Sequence, residues 1–428
     1  MLYKLYLLSF VFLLVLGCFF KRKEETNQFL LFDIGICFAI SILAATFFSL
    51  YPLANDYPLT DSSVFIYIGK RMLQGEIPYK NLFDHKGILL YFIQCAGLLI
   101  SQNSYIGIWG IEVVNLFVTT VVLYKISSLL TNDKMARYLS VMATIVICGL
   151  KCYEGGNLTE EYALPWISYA LYIFLKYFKT YEYRLVDIIG LGISFAVVSL
   201  LRINMATVWI AVMPIIFIRM LYRKQYIELR NCALGFCLGI ACVYTPVLIY
   251  TVKTNCLNEM INYYIQFNFE YSGSFDLKIV LNTAAEFFKL MIPVIVAGVI
   301  CIIFEWKNKI FLISLWTLLV TVILAYMNGI MHPHYGIIAL PLFVVFFSYA
   351  ISNIYQVTRN KLNGIYKTIY INNVLFIVVV TTLVIMAFAL KSEIVKQRFG
   401  LQSGITISNE SSSKDESSSS KLIIKLIK

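Results

Sequence analysis

Histidine is almost absent from this chain: of 428 residues, only His85, His332 and His334 carry an imidazole. A zinc site draws three or four nitrogen, sulfur or carboxylate ligands, so the His332-Pro333-His334 pair with one distant partner gives no ground to expect zinc. Charge is scarce as well. Charged residues make up 14% of the sequence against 60% hydrophobic ones, whereas soluble domains carry about 25% charged residues. That balance argues against a soluble globular protein and for a polytopic membrane protein. No internal repeat stands out, which argues against a transporter built from inverted repeats.

What is present is a succession of apolar runs, at residues 5–20, 29–50, 104–124, 138–150, 162–178, 187–203, 206–221, 232–252, 290–304, 310–326, 336–352 and 372–390. Read by length, they predict an all-α polytopic membrane protein with about 12 transmembrane helices. The first run has the length of a signal peptide but lacks a small-residue cleavage site and is followed by Lys21-Arg22-Lys23, so a retained span is expected. The integral membrane domain is expected over residues 1–399. Residues 400–428 form a serine-rich polar tail, too poor in apolar surface to order itself.

The net charge of +11 does not point to nucleic acid, because the cations sit in short connectors between apolar runs. Lys21/Arg22/Lys23, Lys125/Lys134/Arg137, Lys179/Arg184, Arg219/Arg223/Lys224/Arg230, Lys307/Lys309 and Arg359/Lys361/Lys367 fall in alternate connectors. The positive-inside rule makes those cytoplasmic. The remaining connectors are then outside: residues 51–86, 151–161, the turn near Arg202, 253–289 and 327–335. Most of the chemically interesting acids and all three histidines fall there. Of the ten cysteines, Cys152 and Cys256 map to the later outer connectors, and no disulfide is expected between them. Cys18, Cys37, Cys148, Cys232, Cys237, Cys242 and Cys301 belong to or border the apolar runs, as packing residues.

The first outer connector, residues 51–100, is the richest. It holds Asp56 and Asp61, then an amphipathic stretch at 63–74, with Val64, Phe65, Ile68 and Met72 on one face, expected to lie along the interface. Next come Gly75-Glu76-Ile77-Pro78-Tyr79 and Phe83-Asp84-His85-Lys86-Gly87. Residues 88–100 are apolar but too short to span comfortably, so a re-entrant or interfacial helix is expected.

This order of features resembles the GT-C class of membrane glycosyltransferases, especially bacterial glycosyltransferase 39-like relatives of protein O-mannosyltransferases and of the lipid A aminoarabinose transferase. The likeness rests on an Asp before an interfacial helix, on Gly75-x-x-Pro78-Tyr79, and on Phe83-Asp84-His85-Lys86-Gly87. More loosely it extends to His332-Pro333-His334-Tyr335 before Pro341. The resemblance implies a polyprenyl-phosphate sugar donor, a glycan, lipid or protein hydroxyl as acceptor, and inverting transfer at the outer face of a bacterial plasma membrane.

By that resemblance Asp61 is the base, with Asp56 as its rival and Glu160 or Glu161 as a second acid. Each also has a plainer reading, Asp61 as a cap of a helix starting at Ser62 and the glutamates as acids at a span's outer end. Lys86 is expected to meet the donor phosphate or to snorkel at a helix start. Asp84 and His85 orient Lys86 or are solvated loop residues. Arg202, His332, His334 and Tyr335 complete the substrate-binding candidates, with a structural turn at Pro333 as the alternative. No metal or other cofactor is required, since Ser62 follows Asp61 where many relatives carry a second acid and no Asp-x-Asp occurs in the outer connectors. Asp61 with a second-loop acid is the one divalent site that residue types allow. Rival functions are a transporter or flippase of lipid-linked sugars, which should carry ionisable groups in mid-span, and a glycan polymerase, for which a large arginine-rich outer loop is missing.

Overall fold

Inside a bilayer every backbone polar group needs an internal partner, so a chain patterned in long apolar runs crosses as helices. The computed structural model describes residues 31–53, 57–102, 104–271 and 276–361, and among these the regular elements are all helical. In chain order they are α1 (Leu31–Ala45), α2 (Thr60–Leu73), α3 (Ile88–Ile100), α4 (Ile106–Leu130) and α5 (Lys134–Met142), which runs on through a π turn at Ala143–Gly149 to Cys152. Then follow α6 (Thr159–Thr180), α7 (Leu185–Leu201), α8 (Thr207–Tyr222), α9 (Tyr226–Lys253) and α10 (Leu257–Met260), prolonged by a π turn and Phe267–Tyr271. Last are α11 (Leu277–Leu290), α12 (Ile292–Glu305), α13 (Lys309–Ala325) and a 3₁₀ turn, Pro333–Ala339, that enters α14 (Leu340–Lys361).

Four stretches are long and apolar enough to cross a membrane: Ile106–Leu130, Lys134–Cys152, Tyr226–Lys253 and Pro333–Val357. Counting α11 with α12, which meet at a 93° bend, as one broken span raises this to five. The expected count of about twelve is therefore not met among the described residues. The reason is helix length: α7, α8 and α13 have 16 or 17 residues, or about 25 Å at most at 1.5 Å per residue, short of a hydrocarbon layer of about 30 Å. Residues 5–20 and 372–390 lie outside the described residues, as does the tail from residue 400. All described residues belong to one unit, Met1–Ala387, and a second, Phe388–Lys428, lies outside them.

Close helix contacts are made where glycine removes the Cβ. Gly235 and Gly239, four residues apart on α9, face α7, where Gly192 would set a Cβ 2.1 Å from the Phe236 carbonyl oxygen and Gly239 one 2.2 Å from that of Ile189. This is small-residue packing of the kind membrane helices use. In the same way Gly69 lets α2 settle on Gln94 of α3, and Gly97 and Gly107 let α3 cross α4. In α9 only 17% of the apolar window is buried, against 83% in the α14 window. The latter helix is the centre of the bundle and the former faces outward.

At the elbow between α11 and α12, the carbonyl of Leu290 is freed from the helix ladder and accepts a bond from Lys151 Nζ at 3.0 Å. The expected amphipathic helix is α2. It starts at Thr60 and buries Ser62, Phe65, Ile66, Ile68 and Gly69, while Val64 is exposed. The expected short apolar helix is α3, with the boundaries read from the sequence. All nine cysteines among the described residues are free, Cys152 and Cys256 included.

Candidate functional site

Gly75, at φ 95°, ends α2 in the left-handed conformation that glycine adopts without strain, and its N–H returns to Met72. The chain then passes through Tyr79, a buried residue at φ 68°. Such a conformation is uncommon for a residue with a Cβ. It is held by the Tyr79 N–H to Leu82 and by the Tyr79 hydroxyl, which donates to the Lys86 carbonyl at 2.6 Å.

Tyr91 donates to Asp84 at 2.9 Å, and Asn268 to the His85 carbonyl at 2.8 Å. Lys86 Nζ lies 2.9 Å from His85 Nε2, and Nδ1 of the same ring lies 3.5 Å from Asp84. Burial, with the Lys86 charge behind it, lowers the His85 imidazole to about 4. The ring is therefore neutral at neutral pH, and Nε2 accepts from the ammonium. Burial, and after it the Arg202 charge, also pulls Lys86 below the usual lysine value.

Gly87 joins this connector to the end of α7. Its N–H donates to the Leu201 carbonyl at 2.9 Å, and a Cβ there would lie 1.9 Å from the Leu200 carbonyl oxygen. Only glycine fits. The next residue after Leu201 is Arg202, so this one contact places the Lys86 ammonium and the Arg202 guanidinium in the same electrostatic neighbourhood.

Arg202 pairs with Glu160 at 2.6 Å and lies over the Tyr335 ring, 4.8 Å from its centroid. Burial works to raise the Glu160 carboxyl, but Arg202, His334 and Lys86 outweigh it and hold Glu160 below the ordinary glutamate value. His334 pairs through Nδ1 with Glu154 at 2.5 Å and stacks on His332, with ring centroids 5.2 Å apart. Tyr335 packs edge-on against both imidazoles. Four connectors thus converge.

Asp61 sits in the first turn of α2, exposed, with no hydrogen bond or ion pair to a described residue. The helix starts two residues earlier than expected, at Thr60, and its cap position is Leu59, with no side-chain cap bond. Capping therefore does not explain Asp61. Its charge acts on Lys86, His85 and His334. Asp56 lies outside the described residues.

Glu161 does not join the group. Its side chain points about 100° around α6 from that of Glu160 and is fully buried beside Glu112 of α4. Burial raises Glu161 to about 8, so a proton is present between two carboxyls that water does not reach. Among the described residues no group of three or more His, Cys, Asp or Glu side chains is placed to hold a metal ion.

Sequence reasoning missed Glu112, Glu154, Asn268 and Asn157. For the last there was a signal. Glu154, Gly155, Gly156 and Asn157 all take positive φ, and Gly-Gly-Asn contains the residue types that tolerate it.

A cavity of about 300 Å³ opens between α6, α7, α8 and α9, lined by Phe174, Tyr177, Met213, Phe217 and Phe236. On α6, Ile173 is 13 residues past Glu160, about 20 Å along the helix. It is separate from the polar cluster.

No curated protein matches the chain. The family model of the competence-induced protein Ccs4 N-terminal domain matches residues 5–397, nearly the whole length, and the chain belongs to that family.

Proposed function

We propose that this protein is a membrane glycosyltransferase of GT-C type that moves a sugar from a polyprenyl-phosphate donor to an acceptor hydroxyl at the outer face of the plasma membrane. The observation that carries the reading is the convergence of Lys86, Arg202 and His334 around Glu160, with Asp61 unpaired beside them. Arg202 is largely neutralised by Glu160, which leaves Lys86 as the net cation for a phosphate. Asp61 takes the proton of the acceptor hydroxyl as its oxygen attacks the anomeric carbon. The bond from that carbon to the phosphate oxygen breaks, and the polyprenyl phosphate leaves against Lys86 and Arg202 with inversion of configuration. A positioned base contributes about 10²–10⁴ in rate, and fixed cations facing a developing phosphate charge add electrostatic stabilisation.

The test is purified protein in proteoliposomes, supplied with radiolabelled polyprenyl-phosphate sugars and outer-surface glycan, lipid and protein acceptors. Label appearing on an acceptor, with free polyprenyl phosphate in equal amount, is the expected result. Label that crosses the bilayer still on its lipid would make the protein a flippase instead.

A further inference from the structure

We infer that Asn157 is the positioning residue that sets Asp61 against Glu160, and that it does so by tying four helices to one residue, three through its side chain and α4 through its backbone N–H. The inference rests on the reading of Asp61 as base. Asn157 is fully buried and left-handed, at φ 54°. Its N–H donates to Glu112 of α4 at 2.5 Å, and its Nδ2 donates to Ser62 of α2 at 2.8 Å and to Gln94 of α3 at 3.2 Å. Its Oδ1 accepts from Gln94 Nε2 and from the Tyr162 hydroxyl of α6, each at 2.7 Å.

Every polar atom of the side chain is used, and each partner stands beside a group of the site or anchors the hub. Ser62 directly follows Asp61. Glu160 follows Asn157 by three residues, at the start of α6. Glu112 lies in turn within reach of Glu161, so the hub rests on the buried acid pair. Glycine would keep the backbone turn but lose the side-chain bonds. Aspartate would lose both Nδ2 donors and place a charge where two carboxyls already lie.

This assigns a reason to a sequence feature that would otherwise look like a gap. The serine after Asp61 is buried, and it serves as the acceptor through which the second connector holds the first. The two cations are fixed elsewhere, through Gly87 and the end of α7. Loss of the Ser62 bond therefore displaces the base and leaves the phosphate contacts in place.

Two readouts test this on the full-length protein in detergent or proteoliposomes: donor kinetics, and deuterium uptake of the peptide covering the first turns of α2. Ser62→Ala should lower kcat about 10-fold or more with the donor KM unchanged, and should speed exchange at Ser63 to Ile66. Ser62→Thr, which keeps the hydroxyl, should restore both. Asn157→Gly should show the same exchange change at larger amplitude. Wild-type kcat in Ser62→Ala, or a loss confined to KM, overturns the inference. If the wild-type protein transfers no sugar from any donor, the functional reading fails, and the exchange data still decide the positioning role: unchanged uptake in both Ser62→Ala and Asn157→Gly refutes it.

Discussion

Adding one methyl group at Gly87 should disable the site without touching a polar side chain. An alanine Cβ would stand 1.9 Å from the Leu200 carbonyl oxygen and 2.4 Å from its carbon. A Cβ essentially never approaches a heavy atom closer than 3.0 Å, so from 1.9 Å the connector must retreat by about 1 Å. Both sides of the contact are backbone, and neither can rotate out of the way. The 2.9 Å bond from Gly87 to Leu201 is lost, and overpacking of this kind costs about 1–3 kcal/mol. A protein of ordinary stability survives that loss. The larger effect is geometric: Lys86 moves away from Arg202, and a misplacement of about 1 Å can cost about 10² in rate. Gly87→Ala should therefore accumulate in the membrane with a modestly lowered melting temperature, and show a kcat/KM for lipid-linked donor down by about 10². Near-normal transfer by the folded variant would refute the coupling of Lys86 to Arg202 through this contact.

Four other outcomes follow from the same geometry. Lys86→Ala should lower kcat/KM by about 10-fold or more, read by initial rates over a donor series, because the phosphate loses its net cation. Asp61→Asn keeps size and helix start but cannot take a proton, so turnover should fall by about 10² at unchanged expression. Glu161 is protonated in the folded state up to about 8 against an ordinary value of 4.5; the unfolded chain releases that proton first, so its contribution to stability is full below 4.5 and declines as pH rises to about 8. Glu161→Gln should flatten that decline, about 1.4 kcal/mol per pH unit at its steepest, in melting temperatures compared with wild type across the window. For topology, cysteines placed at the exposed Lys80 and Lys307, with Cys237 and Cys242 removed, should react unequally with an impermeant thiol reagent in intact cells, only the former being labelled.

Part of the fold was legible because it depends on local pattern. Residues 88–100 are bounded by Gly87 and Ser101, and the helix has those limits. The face of α2 was harder to read. Apolarity puts Val64 on one face with Phe65 and Ile68, along the expected interface, yet Phe65 and Ile68 are buried with Ser62 while Val64 is exposed, because Asn157 draws the serine inward. The span count failed for a related reason. Hydropathy registers apolar content, whereas crossing requires length, and α7, α8 and α13 stop at 16 or 17 residues.

At the site, what could be read from the sequence was the inventory, and what could not was the pairing. Lys86, Glu160 and His334 are suggested by the family resemblance and Arg202 by its place near a predicted span end, and the four lie together in the fold. Their partners lie far along the chain: Glu154 meets His334 across 180 residues, and Asn268 meets His85 across 183. No periodicity encodes such contacts. Glu160 and Glu161 show the limit most sharply, since adjacent helix positions point about 100° apart. One carboxylate joins Arg202 while the other turns to Glu112. Two neighbouring identical residues therefore have opposite environments, the first held ionised by cations and the second held protonated by burial, and the difference arises only once α4 and α7 have packed on either side of α6.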